Sequence, residues 1–465
     1  MALTTAKCWS SWPMPEVIGR ASFLYLCLLT LLSSAGSLAA DAIPDHAGNA
    51  ESLVEQTSNS PSGKAPAKPT AEYVLFSLIQ KRLSLMPDVA AYKWHHDLAI
   101  EDLEREAQIL ESTRIAAAEA GLKANHAREF FQQQMNAAKS IQQYWIDQWK
   151  AGAPLPDTPP DLKGDLRPLL NELSAQIIAQ MKAIGSLAPS DTAWQQFQIQ
   201  IQIDGLDTEV VKRLYQALVI ATAPDSFGLL DRIRFTGRIR VATTGDYAPF
   251  SYLNSNGDVS GIDIDMANHL ARALNAEIEW IPTSWPNLLQ DLKEERFDIA
   301  MSGISVKDDR AAHGLFSTPY HEGGKTPIIR CADIKKYGSL ADINQTGVRV
   351  IVNPGGTNHA FAKTRIDKAE LRVFEDNRLI FDEIAEDRAD AMITDAIEVS
   401  LQSSRDKRLC PAMPGKTLTH LQKAYLMPRD EPFLTRVNTW LESTIANGHL
   451  KQSMDHHLSV PSHAD

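Results

Sequence analysis

The chain has 465 residues, which is too long for a single hydrophobic core, and its 44% hydrophobic and 22% charged residues are ordinary for soluble globular protein. The net charge of −12 argues against nucleic acid or an anionic membrane surface as a partner. We therefore expect more than one domain, and any anionic ligand requires a local concentration of cations.

The first 39 residues are typical of a secretory signal peptide. An apolar run at Phe23–Leu32 follows two basic residues and precedes a small-residue cleavage site before Ala40. The run is short for a membrane span, and an uncleaved anchor is the alternative. Residues 40–70 are rich in Pro, Ser, Ala and Asn, which predicts a flexible linker. The sequence thus predicts an exported protein that has no membrane contact after cleavage.

The cysteines fit an exported chain. Cys8 and Cys27 would leave with the signal peptide, so that Cys331 and Cys410 remain. A pair in an oxidising compartment favours a disulfide, and two separately buried thiols are the alternative. No Cys/His spacing resembles a zinc site, and we expect neither a metal nor a cofactor.

Residues 71–225 have helical periodicity and no convincing strand, which predicts an all-α bundle. Arg82 and Arg105 occupy stripe positions at which a helix normally buries hydrophobic residues, and Lys93 lies between these two helices. Burying a cation without a partner is costly. The three cations therefore predict a common anionic ligand inside the bundle, and the alternative is that each one extends to water from the edge of its stripe.

Neutral and acidic groups accompany these cations. A helix predicted at 127–149 carries an apolar stripe whose single polar member is Gln142, an amide that can donate to an oxygen without adding charge. Asp102 and Glu106 flank Arg105, and they can orient it and accept a hydroxyl proton from a ligand.

Six residues resemble, in order and spacing, the active-site pattern of the all-helical chorismate mutases: Arg82, Lys93, Asp102, Arg105, Glu106 and Gln142. The run PDVAAYKW resembles their secreted (gamma) subgroup. The resemblance implies that the cations hold the two carboxylates and the ether oxygen of chorismate, with Gln142 at the ether oxygen and Glu106 at the ring hydroxyl. It also implies that Arg167 supplies a further arginine, and that a homodimer through this domain is an option. The rearrangement of chorismate that this family catalyses requires only that the reactive conformer be bound and that the charge on the breaking C–O bond be stabilised.

Strand and helix patterns alternate across residues 232–460, which predicts an α/β domain of two lobes. Ligands bind such sheets at the carboxyl ends of their strands. There Tyr247, Phe250 and Trp285 supply walls for a ring, and Arg310 supplies a carboxylate partner. Together they predict a cleft for a small ring-bearing acid, although singly each could be turn or core chemistry.

The motifs RVATTGDYAPFSY, PTSWPNL, FDIAMSGIS, GKTPI, VNPGGTN and MITDAIE resemble cyclohexadienyl dehydratase, an enzyme family with the fold of the periplasmic amino-acid-binding proteins. The resemblance implies a decarboxylating dehydration of prephenate or arogenate and a Cys331–Cys410 bridge. The substrate-binding residues that it implies are Tyr247, Trp285, Ser302, Arg310, Lys325, Asn353, Thr357, Asn358 and Asp395.

His359 stands where that family generally has a glutamate that is taken to be the proton donor. An imidazolium can donate a proton, and its unperturbed pKa of about 6.5 suits acid catalysis near neutrality. Its charge could instead hold the ring carboxylate and oppose decarboxylation. We predict His359 to be the acid, with weakened dehydration as the alternative.

The sequence therefore predicts a multi-domain protein, an all-α bundle followed by a two-lobed α/β domain of the periplasmic-binding-protein type. We interpret it as a periplasmic bifunctional enzyme of phenylalanine biosynthesis that acts on chorismate and then on prephenate or arogenate. The alternative interpretation is a mutase joined to a non-catalytic solute-binding domain.

Overall fold

The computed structural model describes residues 69–254 and 256–459. The predicted signal peptide and almost all of the predicted linker lie outside these residues. Among the described helices, none is both long and apolar enough to cross a bilayer.

The first part of the described chain is helical. A single π-helical turn at Leu162–Leu166 leads into the fifth helix. The helices are α1 (Ala71–Leu83), α2 (Met86–His95), α3 (Leu103–Glu119), α4 (Ala124–Lys150), α5 (Arg167–Ile184), α6 (Asp191–Gln200), α7 (Thr208–Ala221) and α8 (Leu229–Thr236).

Capping residues decide where these helices begin. Asp102 accepts a hydrogen bond from the backbone N–H of Arg105 at the start of α3, so Arg105 lies in the first turn of that helix. Lys93 lies within a helix of its own, α2. Pro87 occupies the first turn of that helix, where its missing N–H leaves no bond unmade.

The core of the bundle forms around α4, which packs against α2, α3 and α7. Its large apolar side chains Phe130, Phe131 and Ile141 are fully buried, together with Phe76 of α1. Burial of side chains of this size contributes about 1.5–3 kcal/mol each.

The second part alternates strands and helices. Its elements in chain order are β1 (Arg238–Thr243), β2 (Asp246–Tyr247), β3 (Ser251–Leu253), β4 (Val259–Ser260), α9 (Ile262–Leu274), β5 (Glu277–Pro282), α10 (Leu288–Lys293), β6 (Ile299–Ala300), α11 (Asp308–Ala311), β7 (Leu315–Phe316), β8 (His321–Gly323), β9 (Lys325–Arg330), α12 (Leu340–Ile343), β10 (Arg349–Val352), α13 (Gly356–Arg365), β11 (Glu370–Val373), α14 (Ile380–Ala385), β12 (Ala391–Asp395), α15 (Ala396–Arg405), β13 (Leu409–Pro411), β14 (Leu421–Lys423), β15 (Leu426–Met427), α16 (Glu431–Ala446) and α17 (His449–Ser459).

These strands form one five-stranded sheet in each lobe. Lobe 1 has the order β5-β1-β6-β15-β7 and lobe 2 the order β11-β10-β12-β9-β13. Neighbouring strands among the first three of each sheet pair in parallel, and the remaining neighbours pair antiparallel. The chain crosses between the lobes along the antiparallel pair β8 and β14. The predicted fold class, a helical bundle followed by a two-lobed α/β domain, is confirmed.

A disulfide joins Cys331, at the end of β9, to Cys410 on β13. The two cysteines are 79 positions apart in the sequence, and the segment between them lies within lobe 2.

The helical part contacts lobe 1 through the first turns of α4. His126 lies 3.6 Å from Glu295, and Arg128 lies 3.7 Å from Glu294. Both glutamates follow α10 and precede β6, so this contact lies at the edge of the sheet where the parallel strands begin. Such sheets bind ligands at the opposite edge, where the strands end.

Candidate active sites

An open cavity of about 830 Å³ lies between α1, α2, α3, α4 and α5. All seven residues that were predicted for the helical site line it: Arg82, Lys93, Asp102, Arg105, Glu106, Gln142 and Arg167. Lys139 also lines it and was missed by the sequence analysis. Five cations therefore face two carboxylates, an excess of positive charge that suits a doubly negative ligand.

Arg82 is the most deeply buried of these cations, with 5% of its surface exposed. Its Nε donates to Ser174 Oγ at 3.2 Å, and its Nη1 donates to Gln134 Oε1 at 3.3 Å. Burial lowers its pKa to about 10, so the side chain stays charged at neutral pH. The guanidinium thus enters the site held only by neutral groups.

Lys93 is half-buried, and its Nζ donates to the backbone carbonyl of Ile100 at 2.6 Å. Burial lowers the pKa of Lys93, and the carboxylates of Asp102 and Glu106 act in the opposite direction. The carbonyl occupies one of the three ammonium donors and orients the group, which leaves two for a ligand.

The acidic residues around Arg105 have two different tasks. Asp102 is exposed, and its carboxylate accepts the N–H of Arg105 at 3.0 Å as the cap of α3. Glu106 forms an ion pair with Lys139 at 3.2 Å. Lys139 also reaches Glu101 at 3.1 Å, and although burial lowers its pKa, hydrogen bonds to both carboxylates raise it overall. We interpret Asp102 as a helix cap rather than a ligand for substrate.

Gln142 is buried on α4, and its amide orientation bears on its predicted role. Its Nε2 donates to the carbonyl of Ala138 at 3.2 Å, while its Oε1 is buried with no partner among the described residues. The amide nitrogen has two N–H donors, so one remains beyond the bond to Ala138 for an ether oxygen, as predicted.

A second open space, of about 320 Å³, lies between the two lobes of the α/β part. Seven of the residues that were predicted for this cleft line it: Tyr247, Trp285, Arg310, Asn353, Thr357, Asn358 and Asp395. Lys423, on β14, also lines the cleft and carries no local motif.

Asp395 is the centre of a buried charge cluster at this cleft. Its carboxylate accepts from Lys423 Nζ at 2.7 Å, from Lys325 Nζ at 3.3 Å and from the hydroxyl of Tyr247. Burial alone would raise the pKa of Asp395, but the two ammonium groups outweigh it and hold the pKa well below its usual range. Burial lowers the pKa of Lys325 to about 8. The cluster retains one net positive charge.

Arg310 is 5% exposed and also lines the cleft. Its Nη1 donates to the carbonyl of Ser305 at 3.0 Å, and its guanidinium carbon lies 6.0 Å from the ring centre of Trp285. Burial lowers its pKa, and the one charged residue that acts against this is its neighbour in the chain, Asp309. Its charge is therefore available to a ligand carboxylate.

Two of the three predicted aromatic walls, Tyr247 and Trp285, line the cleft. Tyr247 and Trp285 contact each other edge to face, with ring centres 5.8 Å apart, so a ligand ring rests against both rather than between them. Phe250 is fully buried beneath Tyr247 and does not line the cleft. Ser302 does not line it either, because its hydroxyl is buried among Thr244 and Ser251, with which it forms hydrogen bonds. This position does not support the predicted substrate contact of Ser302, which stays a prediction.

His359 does not have the geometry predicted for the acid. It does not line the cleft, and its Nδ1 accepts the backbone N–H of Gly355 at 3.1 Å, which requires an unprotonated Nδ1. Burial, with help from Lys363, also lowers the pKa of His359. This arrangement does not support His359 as the acid, and that role stays a prediction.

Glu398 has properties that the sequence analysis missed. It is 1% exposed on α15, and Thr394 Oγ1 donates to it while accepting from Asn358 Nδ2 at 3.0 Å. Burial, with smaller contributions from Asp395 and Asp246, raises the pKa of Glu398 to about 8. A carboxyl group that is protonated at neutral pH therefore lies directly behind the wall of the cleft. The signal was available, because Glu398 is the last residue of the motif MITDAIE.

The part of the chain that the structure describes contains no group of three or more His, Cys, Asp or Glu side chains arranged to hold a metal ion.

Comparisons with known proteins match the two parts separately. The family of bacterial extracellular solute-binding proteins, family 3, matches residues 239–460, and chorismate mutase type II matches residues 74–143. A cyclohexadienyl dehydratase of Pseudomonas aeruginosa is 48% identical over 229 residues, which cover 49% of this chain and 85% of that protein. The L-cystine-binding protein TcyJ of Escherichia coli is 26% identical over 184 residues, which cover 39% of this chain and 68% of that protein.

Among solved structures, an ancestral amino acid-binding protein described as a precursor of cyclohexadienyl dehydratase is 33% identical. The match covers 50% of this chain and 99% of that one, with a TM-score of 0.46.

Proposed function

We propose that this chain, which belongs to the cyclohexadienyl dehydratase family and carries a type II chorismate mutase domain, catalyses two consecutive steps toward phenylalanine. The helical domain, residues 71–225, would convert chorismate to prephenate. The α/β domain, residues 232–460, would convert prephenate to phenylpyruvate or arogenate to phenylalanine. The observation that carries the proposal is the pair of cavities in which buried cations, Arg82 and Arg310, lack a carboxylate partner among the residues that the structure describes.

In the helical site the proposed reaction needs no proton transfer. Arg82, Arg105 and Arg167 would hold the two carboxylates of chorismate in the compact conformer that rearranges. Lys93 would stabilise the negative charge that develops on the ether oxygen as the C–O bond breaks. Glu106, fixed by Lys139, would accept the ring hydroxyl.

In the cleft the proposed reaction does need a proton. Arg310 would bind the side-chain carboxylate while the ring rests against Tyr247 and Trp285. We propose Glu398 as the source of this proton: it lies behind Thr394 rather than in the wall of the cleft, accepts from the Thr394 hydroxyl, and has a pKa raised to about 8. Its proton leaves with the ring hydroxyl as water, the ring carboxylate leaves as CO₂, and the electron pair of the broken C–C bond completes the aromatic ring. Solvent then returns a proton to Glu398.

The solute-binding family and the curated relatives indicate a protein that acts outside the cytoplasm. We propose the periplasm, reached through a signal peptide at residues 1–39. A homodimer through the helical domain stays a prediction, and the molar mass of the exported chain in solution would test it.

The test is to incubate the purified chain separately with chorismate, prephenate and arogenate. We expect chorismate to be consumed and phenylpyruvate to accumulate, with direct formation of phenylpyruvate from prephenate or of phenylalanine from arogenate. Recovery of prephenate and arogenate unchanged would contradict the dehydratase proposal and favour solute binding. Recovery of chorismate unchanged would contradict the mutase proposal.

A further inference from the structure

The partners of Arg82 are unusual for a buried arginine. Arg232, which is 8% exposed and lines neither cavity, forms an ion pair with Asp298. Arg82 is 5% exposed, and both of its hydrogen-bond acceptors are neutral. Buried charges are normally paired, because an unpaired one loses its hydration without compensation. The difference follows location: the arginine inside a cavity is unpaired, and the arginine away from the cavities is paired.

Gln134 is one of the two neutral side chains that accept a hydrogen bond from Arg82. It is fully buried on α4, and its Oε1 accepts from Arg82 at 3.3 Å. Its Nε2 is buried with no partner among the described residues. A glutamate has nearly the same shape, would remove the unpaired donor and would pair with Arg82. On grounds of stability alone, glutamate would be the better residue at position 134.

We propose that Gln134 and Ser174 are positioning residues that hold Arg82 in place without neutralising it, so that a substrate carboxylate supplies the missing negative charge. Gln134 does not line the cavity, and it therefore acts through Arg82. The inference rests on the proposed mutase function, because it takes the ligand to be a ring-bearing dicarboxylate. It adds that the neutral state of residue 134 determines affinity for this ligand class.

The test compares three variants of the whole chain. Gln134→Glu places a carboxylate against Arg82, and Gln134→Met removes the acceptor without adding charge. Gln132→Glu makes the same chemical change on the same helix at a half-buried position where the partner is Asn136. The measurements are KM and kcat for chorismate, thermal unfolding, and the calorimetric Kd of a non-reacting cyclic dicarboxylate.

We expect Gln134→Glu to raise KM and Kd at least about tenfold, because the internal ion pair must be broken for each ligand that binds. The same variant should unfold at an equal or higher temperature than the parent chain. Gln134→Met should raise KM by a smaller factor and lower the unfolding temperature, and Gln132→Glu should leave KM within about twofold. Prephenate turnover by each variant reports that the remainder of the chain is folded.

Two results would overturn the inference. One is a Gln134→Glu variant with the KM and Kd of the parent chain. The other is a loss of affinity that parallels a loss of stability in both Gln134 variants, which is what a purely structural role produces. A parent chain that leaves chorismate unchanged contradicts the proposed function instead, and the calorimetric Kd values then still decide the role of Gln134.

Discussion

Replacing Glu398 with glutamine is the most informative single change in the α/β domain. Glutamine keeps the shape of the side chain and an oxygen to accept from Thr394, but it has no acidic proton. If Glu398 protonates the departing hydroxyl, kcat for prephenate falls by about 10²–10⁴-fold, which is the usual contribution of a general acid. Chorismate turnover by the same variant should stay unchanged, because that site lies in the other domain.

The raised pKa of Glu398 predicts a second effect, of opposite sign, on stability. In the unfolded chain a glutamate has a pKa of about 4.3, whereas the folded protein raises the pKa of Glu398 to about 8. Between these values the folded state keeps a proton that the unfolded state releases, so the wild-type domain loses stability as pH rises. With about 1.4 kcal/mol per pKa unit, the loss reaches about 3–5 kcal/mol by pH 8. Glutamine does not ionise, so the free energy of unfolding of the E398Q variant does not fall for this reason as pH rises.

The assay is urea unfolding at pH 5, 6.5 and 8, followed by tryptophan fluorescence. We expect the free energy of unfolding of E398Q, relative to wild type, to increase steadily in favour of the variant across this range. Glu375→Gln, an exposed glutamate of the same lobe, serves as the control and should give a constant difference. A constant difference for E398Q would refute the buried neutral carboxyl, and full dehydratase activity in E398Q would refute its role as the acid.

Four further outcomes are expected. Arg310→Lys, which keeps charge but loses the planar fork, should raise KM for prephenate about tenfold with a smaller change in kcat, and an unchanged KM would exclude Arg310 as the carboxylate ligand. Lys139→Met should lower mutase kcat about tenfold, whereas Lys139→Arg, which can still hold Glu106, should retain most of it in the same spectrophotometric assay. Cys331→Ser should destabilise the α/β domain by about 2–4 kcal/mol in thermal unfolding, and added reductant should then have no further effect. Labelled prephenate added to the medium should dilute the product made from chorismate, because the helical domain contacts lobe 1 at the edge opposite the cleft; undiluted product would show direct transfer.

The helical site could be predicted from the sequence because its residues occupy positions with a local meaning. Arg82 interrupts an apolar stripe, and Asp102, Arg105 and Glu106 fall within one turn of each other. The sequence analysis did not identify Gln134 and Lys139, because the stripe assigned to α4 described a single face of the helix. A long helix packed by neighbours on several sides buries more than one face, and periodicity alone does not indicate which neighbour each face meets.

The α/β site was predicted less completely, for two physical reasons. Lys423 comes from the return crossover strand β14, and only the tertiary fold brings it to Asp395. The position of His359 has a different explanation. Helix α13 begins at Gly356, and successive residues point about 100° apart around its axis. Thr357 and Asn358 both line the cleft, whereas His359, about 200° around the axis from Thr357, does not.

The contents of the two sites follow from the chemistry that each is proposed to perform. The proposed rearrangement of chorismate transfers no proton, and the helical site accordingly combines cations with a neutral amide in the cavity, Gln142, and another behind it, Gln134. A dehydration must supply a proton near neutral pH, which a carboxylate paired with a lysine cannot do. In the α/β domain two carboxyl groups therefore have different roles. Asp395 forms ion pairs with the two lysines, while Glu398, one helical turn away, is unpaired and protonated. The ionised carboxylate of Asp395 raises the pKa of Glu398 further, so the cluster that prepares the cleft for an anion also keeps the proposed acid in its protonated form.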